Sequence, residues 1–223
     1  MEISSLERTF NDNKNPKAAI MMKKYMKEHF EFLGINKPLR SQLQKQFIAE
    51  NKKHDIVRIM AIASELASIP YREYYYAGID LLQTSINKMD IGHMYGMTGM
   101  ATVIRPWWDS VDAINIAIKN WFAMDNNADY LDEFSDYAAN HKSIWANRIS
   151  LICQLQMKDR LNTAVLDRVI LNFKDSDEFF LQKAIGWILR EYSKYNPGYV
   201  KLYLLEHKLK PLSVREASKY LNK

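Results

Sequence analysis

The chain has little of what builds disulfide scaffolds, turn-rich β folds or membrane spans. Its single cysteine, Cys153 in RISLICQLQ, excludes an internal disulfide and reads as a small buried apolar residue in a reducing compartment. Seven glycines and six prolines among 223 residues are too few turn formers for an all-β chain. No run of about 18 apolar residues appears, and the opening MEISSLERTF lacks the basic-then-apolar pattern of a secretory signal. A cytoplasmic protein with no membrane partner is therefore expected. Neither sign of charge dominates: 31 Lys and Arg stand against 26 Asp and Glu, a net +5. That is a mild bias toward a polyanionic partner, which on its own decides little.

The usual catalytic signatures are missing too. There is no Walker loop, no GxGxxG after a strand, no GxSxG and no CxxC pair. His29, His54, His93, His141 and His207 are scattered, with no helical metal-ligand spacing, and Cys153 has no neighbouring cation to make it a nucleophile. No metal and no organic cofactor is expected.

What is present is hydrophobic periodicity at three and four spacing almost throughout, in a chain that is 48% hydrophobic and 26% charged. This predicts an all-α fold. Helices are expected over about 17–32, 40–51, 55–68, 71–88, 107–122, 128–140, 143–158, 161–174, 177–195, 199–207 and 213–221. The breaks fall at GINKPLR, SIPYRE, MDNNADY and KYNPGY, where Pro, Gly or Asn stops a helix. Ser176 before DEFF and Ser213 before VREA are expected N-caps. The Gly/Met-rich stretch 90–104 is left without an assignment. Gly92, Gly96 and Gly99 each cost a helix about 1 kcal/mol relative to Ala, and the GxxG at 96–99, an RNA-clamping motif in another fold, is only four letters long. With no Gly/Ser/Pro-rich linker, a run of helix pairs reads as one HEAT-like α-solenoid domain over residues 1–223, with repeats of about 40 residues.

A set of polar and aromatic residues follows that repeat. In RPWWDSVDAI, Trp108 and Asp112 are four apart and share one helix face, while Trp107 points to the core and Asp109 to another face, where a structural role is expected. Asp112 precedes Arg148 by 36 residues and Arg148 precedes Trp187 by 39, so successive repeats would bring them to one concave, basic surface. Lys183, Trp187, Arg190 and Lys194 run at i, i+4, i+7 and i+11, setting a tryptophan in a basic stripe above buried Ala184, Ile185, Ile188 and Leu189. Basic residues around an aromatic suit a phosphate backbone with a sugar or base on the ring. Arg148, three after Trp145, offers a guanidinium fork for phosphate. Trp121 is assigned to the core. Taken singly, each of these is an ordinary helix residue; the shared register is what unites them.

The same residues carry a family resemblance. MKKYMKEHFEFLGI, PWWDSVD, DEFFLQKAIGWILREYSKYNP and LKPLSVREASKYL, in this order over about residues 6–221, resemble the signature segments of the AlkD family of DNA alkylation-repair glycosylases. The resemblance implies a HEAT-like solenoid that holds double-stranded DNA and hydrolyses the N-glycosidic bond of cationic N3- and N7-alkylated purines, such as 3-methyladenine and 7-methylguanine; a solenoid wrapping DNA can work as a monomer, which is the expected state. It implies that Asp112 is the catalytic carboxylate, that Trp108 and Trp187 embrace the deoxyribose, that Arg148 binds phosphate, and that Tyr25 belongs to a DNA-contacting helix. Lys183, Arg190 and Lys194 are the further DNA-binding candidates.

The implied chemistry needs few groups. An alkylated purine is already a cationic leaving group, so the demand falls on the oxocarbenium ion forming at the sugar. The absence of an obvious lysine nucleophile beside Asp112 suits a monofunctional hydrolase that leaves an abasic site. The alternative is a non-catalytic HEAT-like module that binds nucleic acid or a protein, since solenoids commonly serve as scaffolds.

Overall fold

The computed structural model describes residues 2–221, which form fourteen α-helices joined by turns and loops, with four single 3-10 turns and no strands. The packing divides into two compact units, Met1–Met89 and Asp90–Lys223.

The first unit holds α1 (Ile3–Asp12), α2 (Pro16–Tyr25), α3 (Lys37–Leu43), α4 (Lys45–Asn51), α5 (Ile56–Ser68) and α6 (Arg72–Gln83). Asn15 and Asn36 cap α2 and α3 through Oδ1, each with a proline in the first turn, and Asp55 caps α5. Leu6, Phe10, Phe47, Ile59, Leu66, Tyr74 and Tyr75 fill the core. Two buried charges organise the loop between α2 and α3. The Glu73 carboxylate accepts the backbone N–H groups of Leu33, Gly34 and Ile35 at 3.0, 2.9 and 3.1 Å, and the Arg72 guanidinium lies 3.9 Å from the Phe30 ring centroid. Gly34 has φ +86, and a Cβ there would sit 2.0 Å from the Asn15 carbonyl oxygen, so only glycine lets this loop close.

The second unit holds α7 (Ile91–Val103), α8 (Trp108–Phe122), α9 (Leu131–Ala139), α10 (Ile144–Ile152), α11 (Thr163–Phe173), α12 (Phe179–Ser193), α13 (Pro197–Glu206) and α14 (Pro211–Ala217). They pack as a repeat. Helices α8, α10, α12 and α14 lie each against the next in one row, and α7, α9 and α11 form a second row behind them. This is the helical-repeat architecture expected from the sequence. Ile114, Ile118, Trp121, Phe134, Ile149, Ile185 and Leu189 are buried between the rows.

Several boundaries differ from expectation. Helix α1 was not anticipated. The segments expected over 17–32 and 143–158 stop at Tyr25 and Ile152, and left-handed backbone follows each, at Lys27 and Glu28 (φ 53 and 65) and at Gln156 and Lys158 (φ 67 and 53). The unassigned stretch 90–104 is helix α7. Its N-terminus is fixed by a capping box between Asp90 and His93, and it is held by buried Met94, Met97 and Met100. Gly96 and Gly99 lie inside that helix, which removes the loop a phosphate-clamping GxxG would need. Neither expected serine is an N-cap. Glu178 precedes α12, and Ser213 lies within α14, where its Oγ donates to the Gln182 carbonyl at 3.0 Å.

Candidate active site on the α8–α10–α12 row

The row of α8, α10 and α12 brings Asp112, Arg148 and Trp187 to one place, in keeping with the 36- and 39-residue spacings. The Arg148 guanidinium grips Asp112 with two parallel bonds, Nε to Oδ1 at 2.7 Å and Nη2 to Oδ2 at 2.9 Å. Its Nη1 donates to the Phe180 carbonyl at 2.8 Å, and its Cζ stands 5.7 Å from the Trp187 ring centroid. The Asp112 side chain is 19% exposed and that of Arg148 only 6%. Burial pushes the Asp112 carboxyl above its ordinary value, the Arg148 fork opposes that shift, and nearby Asp109 adds a small push in the same upward direction.

An open pocket of about 440 Å³ lies against this pair, lined by Asp109, Asp112, Ile116, Lys119, Gln156 and Trp187 among others. Asp112 and Ile116 follow one another along one face of α8, with Lys119 a turn further on. The wall therefore runs from carboxylate through an apolar stretch to a cation, with Trp187 of α12 also in the lining. Trp108, the first residue of α8, is half-buried one turn before Asp112 and is not part of that lining.

The surroundings revise several expectations. Asp109 shares the pocket with Asp112 and does not face away, because residues three apart on a helix are neighbours. Trp107 is half-buried and not a core residue. It precedes α8 and packs edge-on against Trp145 and Phe180, with ring centroids 5.7 and 5.4 Å away. This aromatic cluster includes the residue whose carbonyl holds Arg148. Trp121 is buried as expected.

The basic residues differ most. The Arg148 fork is turned onto Asp112 and not outward as a phosphate fork would be. Lys183, Trp187 and Arg190 do share the half-buried face of α12, but Lys183 Nζ and Arg190 Nη1 both bind Glu216 of α14, at 2.9 and 2.6 Å. Lys219 adds a third contact at 2.6 Å. Lys219 foremost, and Lys183, hold the almost fully buried Glu216 carboxyl down at about 2 against a burial that would raise it. Lys194 pairs with Glu191 at 2.6 Å and lies 4.9 Å from the Tyr220 ring centroid. Glu216 was not singled out from the sequence; its position three residues before Lys219 was the only local signal. Tyr25, the remaining candidate, is an exposed residue at the end of α2 in the first unit.

Cys153 is fully buried, with its thiol pushed up to about 12. No cluster of three or more His, Cys, Asp or Glu side chains suited to a metal occurs among the described residues. Nor is any helix of the described residues long and apolar enough to cross a membrane.

A helical-repeat protein with a largely buried Asp–Arg pair beside an open pocket that one tryptophan helps to line is the class these features define. The family model for DNA alkylation repair enzymes matches residues 6–221. A solved structure described as a predicted DNA alkylation repair enzyme from Enterococcus faecalis is similar, with a TM-score of 0.89 and 34% sequence identity over 94% of this chain and 97% of that one. No curated protein matches the chain. The chain belongs to the DNA alkylation repair enzyme family.

Proposed function

We propose that the protein is a monofunctional DNA glycosylase of base excision repair. It takes double-stranded DNA and hydrolyses the N-glycosidic bond of cationic N3- and N7-alkylated purines, leaving an abasic site. The observation that carries this reading is the Asp112 carboxylate, fixed by the Arg148 fork at the edge of an open pocket whose lining includes Trp187. The family membership supports DNA as the partner.

In this reading the bond breaks with departure of a neutral alkylated purine, and positive charge develops on C1′ and O4′ of the sugar. A carboxylate about 4 Å from that charge contributes at most about 4 kcal/mol at an effective dielectric of about 20, roughly a thousandfold in rate. Asp112 also orients the attacking water and accepts its proton. The Trp187 face, and that of Trp108 one turn before Asp112, favour the developing cation. Arg148 is a positioning residue. Its two bonds fix both carboxylate oxygens, and they oppose the burial that favours the neutral acid.

A duplex containing 7-methylguanine provides the test. Wild-type protein should convert it to a duplex with an alkali-labile abasic site, and Asp112→Asn should lower the rate by about 10²–10³-fold while the protein remains folded. No release of methylated base from the wild type would sink the reading. One observation favours the alternative of a non-catalytic module in its protein-binding form: Lys183, Arg190 and Lys194 all have carboxylate partners within the chain. That module predicts binding that survives Asp112→Asn together with no base release.

A further inference from the structure

If the chain grips DNA beside Asp112, some cation near the pocket has to meet the phosphates that flank the sugar. The four residues expected to do so are already engaged. Arg148 is bound to Asp112, Lys183 and Arg190 to Glu216, and Lys194 to Glu191. Lys119 is different. It lines the same pocket as Asp112 and Trp187, yet among the described residues its side chain has a neutral partner and no carboxylate: the Gln156 Oε1 accepts from its Nζ at 2.9 Å.

We propose that Lys119, steadied by Gln156, is the phosphate-binding residue of this site. It rests on the reading of the pocket as a DNA glycosylase site. Lys119 lies seven residues beyond Asp112 on α8, about 10.5 Å along the helix axis, and side chains on a helix lean back toward its N-terminus. A deoxyribose laid on the intervening apolar stretch at Ala113 and Ile116 would present C1′ to Asp112 and a backbone phosphate to Lys119. An ammonium has three N–H donors, of which Gln156 takes one, leaving two for phosphate oxygens.

The environment supports this assignment. Burial alone pushes the Lys119 ammonium below its ordinary value, with no carboxylate acting to raise it. A cation partly stripped of water and given only an amide carbonyl is short of an anion, which a phosphate would supply. Gln156 stands in left-handed backbone (φ 67) past the end of α10, and its side-chain oxygen accepts from Lys119. The pocket thus separates two tasks: the carboxylate end meets the sugar cation and the ammonium end meets the backbone anion.

The test is the salt dependence of binding to a short duplex carrying a tetrahydrofuran abasic analogue. Wild-type affinity should fall linearly in log–log form with salt, and Lys119→Gln should reduce the slope by about 0.9, the amount expected for one lost phosphate contact. Lys119→Arg should keep the slope. Gln156→Ala, which removes the hydrogen bond but keeps the cation, should change it by much less than Lys119→Gln. Lys201→Gln, which removes one exposed charge from α13, should leave it unchanged. The proposal is overturned if Lys119→Gln leaves the slope intact, if Lys201→Gln lowers it equally, or if Gln156→Ala lowers it as much. Wild-type protein that shows no salt-dependent binding would overturn the DNA reading together with the proposal, whereas a normal wild-type slope unaffected by Lys119→Gln would overturn the proposal alone.

Discussion

Replacing Glu216 by glutamine keeps the size and one acceptor oxygen of the side chain but removes the charge that three cations share. The carboxyl is held at about 2 against an ordinary 4.5, roughly 2.5 units, or about 3.4 kcal/mol at 1.36 kcal/mol per unit. The Lys183 and Lys219 side chains are 37% and 49% exposed, so water screens part of that interaction, and about 2 kcal/mol is the expected loss. The sign follows from the lowered pKa. The stabilisation is fully present above about pH 5, where Glu216 is ionised in both states, and disappears as pH falls toward 2, where even the folded state protonates. Thermal melts of wild type and Glu216→Gln should therefore differ by about 4–8 °C at pH 7, with the gap closing progressively between pH 5 and 2. A gap independent of pH over that interval, or no gap at pH 7, would refute the view that Glu216 neutralises the basic stripe.

Two further substitutions probe the same row of helices. Arg148→Met leaves Asp112 largely buried without its counter-ion and should cost about 3–5 kcal/mol in denaturant melts. It should also move the acidic limb of the base-release profile to higher pH, since the group that opposes the burial of Asp112 is gone. The double variant with Asp112→Asn should recover part of that stability; a double variant no more stable than Arg148→Met would mean the cost lies elsewhere. Gly186→Ala places a Cβ 2.4 Å from Glu216 Cβ and 2.9 Å from the Ser213 carbonyl oxygen. It should force α12 and α14 apart at a cost of about 1–3 kcal/mol, and an unchanged melting temperature would contradict the close approach.

The sequence by itself determined the helical class, most of the helix positions in the second unit and the meeting of Asp112, Arg148 and Trp187. Each follows from a period: 3.6 residues for a helix face, and near 40 for a repeat that returns a position to the same row. It left the stretch 90–104 undecided because three glycines lower helix propensity, while the capping box of Asp90 with His93 and the burial of three methionines outweigh that cost. Only the tertiary structure decided what the charges do. Whether Arg148 points at solvent or at Asp112, and whether Lys183 and Arg190 are available or bound to Glu216, depends on side chains 26 to 36 residues apart that meet across helix interfaces. Spacing places a residue on a face, but the partner it finds there is set by the neighbouring helix.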